Sequence, residues 1–212
     1  MTEKVSPGKC RGARRGECLT DCAEGRSSQR RYNGFTLIEL VLVVGIIAVL
    51  TGLLLSTVGY ARKKGALARA ETEIAAMSAA LENYKADNAI YPRDNTTNQY
   101  TDALDARQNL DATQTVYQNT SLYLYNTLFG ATGGSRVPST GAKSYFVFKP
   151  NMLFPADQSQ NVQYIQDPFG NSYGYSTANQ ANPAKGYNPT FDLWSTAGGT
   201  TSNDIPKWIK NW

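Results

Sequence analysis

The sequence predicts an α+β fold: one long N-terminal helix, apolar in its first half and amphipathic in its second, packed on a small antiparallel sheet. Three observations carry this expectation. Residues 35–58 are apolar apart from Glu39 and scattered Gly, Ser and Thr. Residues 61–88 are Ala-rich and free of proline, and their apolar positions fall on one helical stripe. Beyond residue 140, short aromatic and β-branched runs alternate with Pro, Gly and Asn turns.

The first 34 residues read as a basic leader. They are rich in Gly, Ser and Arg, show no apolar periodicity, and hold eight Lys or Arg against four Asp or Glu. The chain's net charge of +4 arises there, because the remaining 178 residues contain 13 basic and 13 acidic side chains. A neutral body lacks the clustered positive charge that a nucleic-acid surface needs, so no nucleic-acid partner is expected. Cys10, Cys18 and Cys22 also lie in the leader, and their spacing is not that of paired zinc ligands. The chain has no histidine, which removes Ser-His-Asp and Cys-His catalysis and the commonest general base. The residues argue against an enzyme.

Residues 35–58 would span ~36 Å as a helix at ~1.5 Å per residue, enough to cross a bilayer. A secretory signal has a shorter apolar core followed by small residues at its cut, so this run reads as a retained single span. Basic residues before it, including Arg30 and Arg31, favour a cytoplasmic leader and an outward C-terminal part. Glu39 is the anomaly, since a charge at the centre of a bilayer costs about 2.5–3.5 kcal/mol even on the lenient insertion scale.

The helix continues into residues 59–92, where Leu67, Ala70, Ile74, Met77, Leu81 and Tyr84 recur at spacings of three and four and form the face of a core. Gly45, Gly52 and Gly59 are its weak points. Pro92 disfavours helix at Tyr91 and ends it. Residues 93–212 form the globular part. Within it, 122–130 reads as a short docked helix, and 144–148, 161–165, 172–176 and 190–194 read as strands.

Gly34-Phe35-Thr36-Leu37-Ile38-Glu39, preceded by basic residues and followed by about twenty apolar ones, resembles the signature of prepilins and pseudopilins. The resemblance implies a pilin-like fold. It also implies a membrane peptidase that cuts after Gly34 and methylates the new amino terminus at Phe35. In that family the glutamate, here Glu39, is taken to neutralise the amine of a neighbouring subunit as it leaves the bilayer for a filament. The helix residues 69–92 and the segments "QDPFGNSYGY" (166–175) and "FDLWS" (191–195) are similar to the major pseudopilin of type II secretion systems, as are Asp204-Ile205 and Asn211-Trp212. Residues 95–160 carry no such match.

The resemblance implies a subunit with no active site. It would be anchored in the inner membrane with its C-terminal part in the periplasm, then polymerised with other pseudopilins on an inner-membrane assembly platform for protein secretion. A type IV pilin or DNA-uptake pseudopilin shares those steps, although a disulfide-bonded C-terminal loop would favour a pilin and this chain has no cysteine there. A reading of another class is an enzyme or binding module displayed outward by an uncleaved helix. Three departures stand out. Many relatives have a proline where this chain has Ser56, and its leader is longer than usual. The family's last loop holds calcium through an aspartate and a later acidic pair, whereas this chain has Gly199 at the first position and only Asn203 and Asp204 beyond it. That is a poor ligand set for an ion that takes six to eight oxygens.

Overall fold

The computed structural model describes residues 34–94 and 100–212. The rest of the leader, with Cys10, Cys18, Cys22, Arg30 and Arg31, lies outside the described residues. The chain divides into two compact units, Met1–Ala48 and Val49–Trp212.

Helix α1 is Leu37–Asn88, 52 residues without a break through Gly45, Gly52 or Gly59. It is long and apolar enough to cross a membrane. Its apolar residues up to Leu55 are exposed, and burial begins around Ala66 and Leu67. From there the predicted stripe holds: Ala70, Ile74, Met77 and Leu81 are buried, with Leu67 and Tyr84 packed at the edge of the same core. The helix closes three residues before Pro92 is reached. Ala89 adopts a left-handed φ of 63° and donates its amide to Lys85 O at 2.7 Å, and Asn88 Nδ2 donates to Tyr84 O at 2.9 Å.

A one-turn helix α2 (Tyr100–Ala103) precedes α3 (Thr115–Phe129). The apolar run at 122–130 is thus only the second half of a 15-residue helix, ended by Gly130 at φ 77°. Tyr117, Leu124, Tyr125 and Leu128 line its buried face. The sheet is three-stranded and antiparallel: β3 (Gly174–Ser176), β4 (Asp192–Ser195) and β5 (Ile209–Lys210), with β4 central. Gly174 pairs with Trp194, Tyr175 with Leu193, and Ser195 with Ile209. A separate ribbon joins β1 (Leu153–Phe154) to β2 (Tyr164–Ile165). A short helix α4 (Ala178–Ala181) follows β3.

The predicted strands at 172–176 and 190–194 are shortened and shifted by a residue or two, while 161–165 contracts to its last two residues. The predicted strand at 144–148 does not form. Tyr145 and Phe146 both donate their amides to Leu128 O, at 2.7 and 3.1 Å, so two successive amides turn to one carbonyl and no ladder can pass through them. The aromatic residues that suggested a strand serve packing instead: Phe146 lies 4.7 Å from Phe148, and Tyr145 lies 5.1 Å from Tyr84, centroid to centroid.

Candidate processing and assembly motif

Thr36 stands immediately before the first turn of α1 and Glu39 three residues on. The Thr36 amide and hydroxyl donate to Glu39 Oε2 at 2.9 and 2.8 Å, and the Glu39 amide donates to Thr36 Oγ1 at 3.3 Å. This reciprocal arrangement is a capping box, which satisfies amides that the first turn leaves without partners. Within one chain, therefore, Glu39 accepts two hydrogen bonds from its own helix start. The Thr-x-x-Glu spacing was visible in the sequence, where Glu39 is conspicuous as a charge and its capping partner Thr36 is easily passed over.

Among the described residues, chain neighbours aside, no atom stands within 4 Å of where a Gly34 Cβ would lie, so their packing places no demand for glycine at this position. Phe35 is 83% exposed, as are the large apolar side chains that follow it in the first unit to lesser degrees. The motif is a peptide bond and a carboxylate presented at the head of an uncovered apolar helix.

The segments at 166–175 and 191–195 meet in the globular unit. Asp167 Oδ1 accepts the amides of Phe169 and Asn171 at 2.9 and 2.8 Å, closing a turn whose Gly170 sits at φ 91°. Its Oδ2 accepts Ser195 Oγ at 2.5 Å, which fastens that turn to the end of β4. Burial raises the Asp167 carboxyl above its ordinary range, against the lowering effect of these donors. Close by, Tyr173 Oη donates to Glu73 Oε2 at 2.7 Å and Arg69 Nε donates to Glu73 Oε1 at 2.6 Å, so the residue leading into β3 is tied to α1 through a buried carboxylate.

Asn203 and Asp204 lie in the 3-10 helix Ser202–Lys207, after the 196–201 loop. Asn203 is exposed. Asp204 Oδ2 accepts the Thr201 hydroxyl at 2.7 Å and its amide at 3.3 Å in a second capping box, and Oδ1 accepts Lys207 Nζ at 3.0 Å. Both carboxylate oxygens are thus engaged, one by an ammonium group. Among the described residues no three His, Cys, Asp or Glu side chains come together as metal ligands. These donors do not suit calcium, which prefers an anionic shell of six to eight oxygens.

A membrane-length helix headed by Gly-Phe-Thr-x-x-Glu, leading into an α+β unit with a small antiparallel sheet, is a pilin-like architecture. Residues 29–55 match the prokaryotic N-terminal methylation motif. The chain is similar to type II secretion system core protein G of Vibrio cholerae, 37% identical over 75 residues that make up 35% of this chain and 49% of the relative. It is likewise 38% identical to the Aeromonas hydrophila protein of that name over 76 residues, 36% of this chain and 51% of the relative. With the Escherichia coli protein it shares 38% identity over 74 residues, 35% of this chain and 49% of the relative. The chain thus matches these curated relatives over about half their length. No solved structure matches it.

Proposed function

We propose that this chain is a pseudopilin of a type II secretion system, a structural subunit with no active site of its own. A prepilin peptidase hydrolyses the Gly34–Phe35 bond, the freed Phe35 amine is methylated, and the shortened subunit leaves the inner membrane for a periplasmic filament built on an assembly platform. Glu39 accepts the amine of a neighbouring subunit's Phe35 in the filament. The observation that carries this reading is the helix of residues 37–55: its apolar side chains are exposed throughout, and its one carboxylate sits at the third helical position. A bilayer covers such a surface before assembly, and equivalent helices of other copies cover it afterwards.

The ion pair explains why a carboxylate is placed there. A buried charge is tolerated when a partner of opposite sign meets it, and the partner here comes into being only on cleavage. Before assembly, the Thr36 donors keep Glu39 satisfied. The intact mass of the chain produced with and without prepilin peptidase tests the reading. The expected product starts at Phe35 and carries one added methyl group. An unshifted mass would instead indicate an outward-facing module on an uncleaved anchor.

A further inference from the structure

The loop where the family resemblance implies a metal presents a cation of its own. A surface cavity of about 210 Å³ opens beside residues 196–200, lined by Lys63, Thr196, Asp204 and Lys207. Two lysines and one carboxylate thus share this lining, and the carboxylate already accepts hydrogen bonds from Lys207 and from the Thr201 hydroxyl and amide. The Thr196 hydroxyl is buried without a hydrogen-bond partner, and as a neutral oxygen it does not offset the positive charge. Gly199, at the position of the missing aspartate, is closed off as well: a Cβ there would run into Asp204 Cβ. The backbone is tied locally too, with the Gly199 amide on Thr196 O at 2.8 Å and the Asp204 amide on Thr201 O at 3.0 Å.

We infer that this loop is locked by an internal cation, the Lys207 ammonium on Asp204 backed by the Thr201 capping box, and that it takes no divalent metal. Lys207 Nζ lies 3.0 Å from Asp204 Oδ1, three positions along the same 3-10 helix, while Oδ2 accepts the Thr201 hydroxyl, so neither carboxylate oxygen is left open to a metal.

Two measurements on the full chain in detergent micelles test this. The thermal unfolding midpoint, followed by tryptophan fluorescence, should be the same in millimolar calcium chloride and in chelator. A rise in calcium or in magnesium that chelator reverses would overturn the inference. Hydrogen exchange of the Asp204 amide, which donates to Thr201 O, should quicken in Lys207→Met and stay at the parent's rate in Lys207→Arg. Unchanged exchange in Lys207→Met would show that Lys207 is not the locking cation.

Discussion

Thr36 decides what Glu39 does within a single chain. With the hydroxyl present, the carboxylate has two donors and the first turn of α1 is capped. Thr36→Ala removes the hydroxyl from both sides of the box and should cost about 1 kcal/mol of local helix stability. Amide exchange of Leu37 to Leu40 in micelles should then quicken about fivefold, that energy expressed as a ratio. Exchange unchanged by the substitution would show that the cap does not hold the helix start. At this scale sequence reasoning found Glu39 by its cost and Gly34-Phe35 by motif, but passed over Thr36, Thr201 and Lys207. Each of these acts through a bond to a residue three positions away, and such spacing becomes informative only once the helix start that Thr36 or Thr201 caps, or the short helix that holds both Asp204 and Lys207, has been placed.

A polar link between α1 and the sheet runs through Glu73, shared by Arg69 one helical turn before it and by Tyr173 at the entry to β3. Tyr173→Phe removes the phenol that donates to Glu73 Oε2 and leaves Arg69 as its remaining partner. Leaving a largely buried acceptor without its donor costs about 1–3 kcal/mol, and the apolar ring is retained, so the loss reports the hydrogen bond rather than packing. Chemical denaturation of the variant should show that loss with an unchanged m-value; a midpoint equal to the parent's would mean that Arg69 suffices. The elements differed in how legible they were. The α1 stripe repeats over some 18 residues, long enough for a period of 3.6 to declare itself. Strands β1, β2 and β5 are two residues each, too short for an alternation to show, and their partners lie at sequence distances that no local pattern reports. At 144–148 strand-like composition and actual pairing parted, because the α3 terminus at Leu128 claimed both amides.

For the whole molecule, the sharpest consequence of the proposed function is that cleavage and assembly would depend on different atoms of one motif. On that proposal processing acts on the Gly34–Phe35 bond and incorporation uses the Glu39 carboxylate, one helical turn beyond the bond. Glu39→Ala should therefore give the same processed and methylated mass as the parent. In the filament, however, it leaves a neighbour's ammonium group buried without its partner, a loss of about 3–5 kcal/mol that weakens incorporation at least a hundredfold. Expressed beside the parent chain and distinguished by mass, the variant should be present in the membrane and missing from sheared filaments. Glu39→Gln separates charge from size, since it keeps a hydrogen-bond acceptor for the amine but no charge, and should also be depleted. Incorporation of both variants at the parent's level would mean that the carboxylate serves only the capping box with Thr36, and the cost of a charge in the apolar run would then need another account.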